Sequence, residues 1–110
     1  SGPGIGRSVA RRLIREGAVA LCADLDPILA EESARALREE FGRDAAVGCA
    51  CDITDRDAVR AAYDAAALRY GGVDAVVVTA AIFFPPDERG DIPDHLFRKT
   101  LDVNVTGNFI

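Results

Sequence analysis

The chain has 110 residues, 49% hydrophobic and 28% charged, the make-up of one globular domain rather than of a disordered segment. Eighteen acidic residues against thirteen basic ones leave a net charge of −5, so there is no basic footprint for nucleic acid. No apolar run nears the ~20 residues a membrane span needs, and no signal peptide is expected before the first glycine, so no membrane partner is expected either.

The chain opens on SGPGIG, a glycine-rich stretch that leads into a helical pattern: Ile5, Val9 and Leu13, with Ala10 and Ile14, recur at helical spacing until Gly17. AVALCAD (18–24) is a short apolar run without alternation, as in a strand buried on both faces. Asp24-Leu25-Asp26-Pro27 breaks it, and Pro27 suits the first turn of a second helix. Ala30, Ala34, Leu37 and Phe41 stripe that helix, and Gly42 lies just past its end. AAVGCACDI (45–53) reads as the next strand. Thr54 is placed to cap a helix running to about Tyr70, with Val59, Ala62, Tyr63, Ala66 and Tyr70 as its inner stripe and Gly71-Gly72 as its stop. VDAVVVTAAI (73–82) is a third apolar strand. The loop FFPPDERGDIP then leads to a last helix from about Asp94. Strands alternating with helices, each strand apolar on both faces, predict an α/β fold: a parallel sheet with helices on both sides, in one domain over 1–110.

The three cysteines, Cys22, Cys49 and Cys51, all lie in these apolar runs. C-x-C without further Cys or His partners is weak as a metal site, so they read as buried free thiols, no metal is expected, and a reducing cytoplasm suits them. His95, the single histidine, sits in a polar stretch and reads as a solvated helix residue.

Read alone, G-P-G-I-G is a weak signal, and a tight strand–helix turn with no ligand is the plainer alternative. Its position at a helix N-terminus gives it weight. Free backbone N–H groups and the positive end of the helix dipole favour a phosphate there, and glycine lets it approach. Asp24 comes after Gly6 at close to the ~20-residue spacing expected of an acid that binds adenosine ribose hydroxyls. A carboxylate there repels a 2′-phosphate, and no Arg or Lys lies beside it, which favours NAD over NADP; an ordinary surface carboxylate is the plainer alternative. Class I methyltransferases also join such a turn to an acid after the second strand, with S-adenosylmethionine as ligand. At the far end, LDVNVTGNF puts Phe97, Leu101, Asn104 and Asn108 on one helix face. A buried amide must find partners, so Asn104 either serves a site or braces a neighbouring loop.

Taken together, the motifs resemble the short-chain dehydrogenase/reductase family along residues 1–110. Gly4-Ile5-Gly6 looks like the end of that family's T-G-x-x-x-G-I-G turn, ALCAD like its second strand with the NAD-selecting acid, and Asp52-Ile53-Thr54 like the D-V-T that holds adenine. Asn104-Val105-Thr106-Gly107 looks like the N-V-x-G of the helix that supplies the family's catalytic Asn. A methyltransferase has no reason to carry the last two. The resemblance implies a Rossmann-type doubly wound parallel sheet, NAD as cofactor, and cofactor contacts from Ser1, Gly4, Ile5, Gly6, Asp24, Leu25, Asp52, Ile53, Thr79, Ala80 and Ala81. One departure stands out: the family's N-N-A-G appears as Val78-Thr79-Ala80-Ala81, with both asparagines gone, and this favours cofactor binding over normal catalytic efficiency. In this the chain is similar to dehydrogenase domains fused to class II sugar-phosphate aldolases.

The family's reaction moves hydride between an alcohol or carbonyl carbon and nicotinamide, with a Tyr–Lys acid/base pair, a Ser that positions the substrate and the helix Asn that holds a water. Only Asn104 of these four has a match here; Tyr63 and Tyr70 lie on another helix, and neither is followed by Lys at the family spacing. The resemblance therefore implies an interior piece of a dehydrogenase, lacking the first strand and the C-terminal part, and inactive alone. Its intact parent is expected to be a homo-oligomer acting on a small, sugar-derived alcohol or carbonyl compound. A non-catalytic dinucleotide-binding module is the alternative that the lost asparagines leave open.

Overall fold

The computed structural model describes residues 4–110. Helix α1 (Ile5–Arg15) leads to strand β1 (Ala20–Asp24), helix α2 (Pro27–Phe41), strand β2 (Ala46–Ala50) and helix α3 (Arg56–Tyr70). Helix α4 (Asp94–Leu101) continues through a π-helical turn, Asp102–Thr106, into the short α5 (Gly107–Phe109). β1 and β2 pair in parallel, from Ala20 opposite Ala46 to Asp24 opposite Ala50. The ladder runs one step further, where the Cys51 N–H donates to the Asp24 carbonyl at 2.8 Å.

The best-defined element is α2. Pro27 opens it, and the Asp26 carboxylate accepts from the Ile28 N–H at 2.8 Å as N-cap. Gly42 ends it at φ 114°, a conformation that disfavours a side chain. The predicted stripe faces inward, with Ala30, Ala34 and Leu37 buried and Phe41 half-buried. Around it lies a small core of Ile14, Cys22, Ala34, Leu37, Ala45 and Ala46. Its small side chains let α2 settle closely on the sheet: a Cβ at Gly48 would stand 2.9 Å from the backbone of Ala30 and Glu31.

Four sequence expectations change. α1 packs through Ile14 and Ala10, while Ile5 and Leu13 stay exposed, because its described partners, β1 and α2, lie on the Ile14 side. The cap of α3 is Asp55, whose carboxylate accepts from the Asp57 and Ala58 N–H groups; Thr54 turns back to Asp52 instead. Of the α3 stripe only Ala66 is buried. Residues 73–82 form no ladder, and Val76, Val77 and Val78 stay about half exposed. A strand needs a paired neighbour, and the only sheet among the described residues is β1–β2. The outcome shows in the dimensions: the radius of gyration is 15.4 Å, against about 13 Å for a compact chain of this length.

Because α2 sits on bare backbone at Gly48, Gly48→Ala should cost about 1–3 kcal/mol of stability through overpacking. Denaturant unfolding of the full-length protein measures it; a loss below a few tenths would contradict the close approach.

Candidate functional site

The C-terminal edge of the parallel pair collects the predicted acids. Asp24 ends β1, and Asp52 lies just beyond β2. Parallel strands in register carry both to the same edge, where ligands of open α/β sheets bind. Each acid is held in place. The Asp24 carboxylate accepts from the Asp26 N–H at 3.0 Å, in a turn that also aims Asp26 at the start of α2. Leu25, between them, is exposed.

Asp52 is the more constrained of the two. One carboxylate oxygen accepts from the Thr54 hydroxyl at 2.7 Å and from the Thr54 N–H at 2.9 Å. These bonds hold its carboxyl below the usual range, and the Lys99 charge on α4 adds to the effect. Asp52 thus stays ionised and ready to accept. Nearby, burial pushes the Cys51 thiol up, which keeps it protonated and unreactive.

The glycine turn enters from α1. Gly4 is its N-cap, with φ −91° and ψ −140°, and among the described residues no side chain caps the helix and its first turn carries no acid. A Cβ at Gly4 would meet none of the described residues within 4 Å. Among the described residues the helix therefore presents open N–H groups, with Ile5 exposed and Gly6 half-buried. Ser1 lies outside the described residues. Arg7, the first cation of the helix, donates from Nε to the buried Ser33 hydroxyl at 3.1 Å, which draws it against α2.

Asn104 sits within the π-helical turn, a feature frequent at functional sites. Its amide grips one residue: Oδ1 accepts from the Ile82 N–H, and Nδ2 donates to the Ile82 carbonyl, both at 2.9 Å. This fixes the end of the ribbon carrying Thr79, Ala80 and Ala81, which are themselves exposed. The same helix reaches the Asp52-Ile53 turn through Gly107, where a Cβ would stand 2.9 Å from the Ile53 side chain. The structure thus links Asp52-Ile53 to the Asn104 helix, and that helix to the 79–82 ribbon. Sequence reading missed Thr54 and Ile82 as partners. The Asp-x-Thr spacing of a side-chain turn signalled the first; nothing marked Ile82, which takes part through its backbone alone.

The Asp52 bonds predict a pH response. The native carboxyl titrates below its unfolded value near ~3.9, so its contribution is full above that pH and lost as pH falls through the lower native value. Removing the hydroxyl with Thr54→Val should move the midpoint back up, as followed by carboxyl NMR. A native midpoint at or above the ordinary value would contradict the bonding.

Comparison with known proteins bears on these features. The family model described as Enoyl-(Acyl carrier protein) reductase matches residues 1–110. Trans-4-hydroxycyclohexanecarboxylate dehydrogenase of Sinomonas cyclohexanicum is 36% identical over 97% of this chain and 42% of its own length. A short chain dehydrogenase from Mycobacterium smegmatis superposes with a TM-score of 0.84 at 30% identity, over 99% of this chain and 45% of that one. A 3-ketoacyl-(acyl-carrier-protein) reductase from Brucella melitensis complexed with NADH gives 0.81, also at 30% identity, over 94% and 42%. The chain spans less than half the length of each of these. Its sheet and helices are part of the Rossmann-type α/β fold of those structures, and the chain belongs to the short-chain dehydrogenase/reductase family.

Proposed function

We propose that these residues are the cofactor-binding part of an NAD(H)-dependent oxidoreductase that moves hydride between an alcohol or carbonyl substrate and nicotinamide. The observation that carries this reading is the convergence of an uncapped helix N-terminus with Asp24 and Asp52 at one edge of a parallel sheet. The donor set fits a dinucleotide: open N–H groups for a pyrophosphate, and two carboxyl acceptors for hydroxyls and an amino group. In this arrangement Ser1, Gly4, Ile5 and Gly6 hold the pyrophosphate, Asp24 and Leu25 the adenosine ribose, Asp52 and Ile53 the adenine, and Thr79, Ala80 and Ala81 the nicotinamide ribose. The bound nicotinamide supplies or accepts the hydride.

Preference for NAD over NADP rests on charge. Asp24 is fixed in its turn by Asp26, and Arg7 is drawn towards Ser33, so on this reading a 2′-phosphate would meet the acid while the first cation of the helix is engaged elsewhere. Asn104 is the catalytic-site residue of this chain. An amide offers two donors and two lone pairs, and Ile82 takes one of each. The remaining pair suits it to hold a water in a proton relay while fixing the nicotinamide-side ribbon.

Residues 1–110 are, on this proposal, one incomplete dinucleotide-binding domain. The unladdered run at 73–82, with its exposed valines, pairs in the whole protein with a strand from outside these residues, and the acid/base Tyr and Lys come from outside them too. Exposed Phe97, Leu101, Val105 and Phe109 along the last helix support a homo-oligomer. The three free thiols favour the cytoplasm, and no helix among the described residues is long and apolar enough to cross a membrane. A small, sugar-derived alcohol or carbonyl compound is the proposed substrate.

In the full-length protein, Asp24→Ala should weaken NADH binding and narrow its advantage over NADPH; tighter NADPH binding by the unaltered protein would reject the assignment. Asn104→Ala should lower turnover by roughly tenfold or more while NADH affinity changes little, on the scale of general acid–base contributions. Full-length protein that binds NADH yet turns over no alcohol would favour a non-catalytic binding module instead.

A further inference from the structure

Away from that edge, the surface concentrates positive charge on a chain whose net charge is −5. Arg35, Arg38, Arg43 and Arg69, with Glu39 and Asp44, line an open groove of about 620 Å³. They come from the second half of α2, the turn after Gly42 and the end of α3, at the opposite end of β2 from Asp52. The five residues of β2, at about 3.3 Å each, lie between the two sites.

Part of this charge has a structural cause. Cations complement the carbonyl ends of helices, and Arg35–Glu39 at 4.0 Å and Arg69–Asp44 at 3.4 Å are loose surface pairs of little energetic weight. That leaves two features unexplained. Arg38 is locked: its side chain is only 27% exposed, Nη1 donates to the Ala46 carbonyl at 3.1 Å, and Nη2 pairs with Glu31. Arg43 makes no hydrogen bond or ion pair among the described residues, although Asp44 is its neighbour in the chain. With Glu31 counted, four guanidiniums meet three carboxylates, so the groove keeps an excess of one positive charge, with one arm fixed and one unengaged. All four cations are arginines, whose planar forks match phosphate oxygens and stay charged at any physiological pH.

We propose that this groove is a binding site for a small phosphate-bearing anion, separate from the edge that carries Asp24 and Asp52. Arg38 gives it a rigid floor, Arg43 and Arg35 close on the anion, and Arg69 completes it as its loose pair with Asp44 opens. A free inorganic oligophosphate and the phosphates of a nucleotide share this chemistry.

The test is calorimetric titration of the full-length protein with inorganic pyrophosphate and with ADP at low salt. Arg35→Gln/Arg43→Gln removes two exposed cations that hold nothing in the core, and circular dichroism checks its fold. Pyrophosphate should bind, weaken with added salt, and lose about tenfold or more in the double variant, the scale of a lost charged hydrogen bond. If ADP weakens in parallel in the double variant, the site takes nucleotide phosphates; if only pyrophosphate weakens, the inorganic anion is the ligand. No pyrophosphate binding, or equal binding to the double variant, would overturn the proposal.

Discussion

The parallel pairing of β1 with β2 is the constraint on which the rest depends. Its register sets Asp24 beside Ala50, and the Cys51 N–H closes on the Asp24 carbonyl, so both acids leave the sheet at the same level. A slip of one residue would turn every side chain of β2 to the other face. What prevents the slip is α2. It crosses so close to Gly48 that no other residue of β2 could take that place, since each of the others carries a Cβ. The position of the two carboxylates thus traces back to one missing side chain.

What was legible in the sequence was whatever short-range chemistry decides. The α2 stripe, its proline start and its glycine stop all hold, because capping, φ preference and helical period act within a few residues. The β1 and β2 runs hold for the same reason, trimmed at their ends to the residues that find a partner. Less legible was whatever depends on a distant surface. The α1 pattern contains two candidate faces, and only the presence of β1 and α2 on one side selects Ile14 over Leu13. Thr54 and Asp55 were both competent caps. The choice fell to Asp55 because Asp52 engages the threonine hydroxyl, a competition between neighbours that a capping rule alone does not rank.

The run at 73–82 shows the converse. Its composition predicts a buried strand, and its unladdered, half-exposed course is what such a run adopts when no described strand lies beside it to pair. Propensity describes what a segment is suited to bury against; a ladder needs a second backbone. Asn104 partly supplies what the ladder does not. By bonding both the N–H and the carbonyl of Ile82 it satisfies one peptide position as a strand neighbour would, and does so from a helix.

That substitution explains why the helix departs from regular α geometry at this point. A π-turn adds a residue to the turn and rotates the helix beyond it, so Asn104 can face Ile82 while Gly107, within the next turn, faces Ile53. A regular helix through Asp102–Thr106 would change the angle between these two contacts, and one would be lost or strained. Each contact also requires its own residue type: an amide to present donor and acceptor together, and a glycine to let Ile53 approach. The helix is thereby tied at two points, to the turn that carries Asp52 and to the ribbon that carries Thr79 to Ala81. In the proposed enzyme those two points are the adenine and nicotinamide ends of one cofactor.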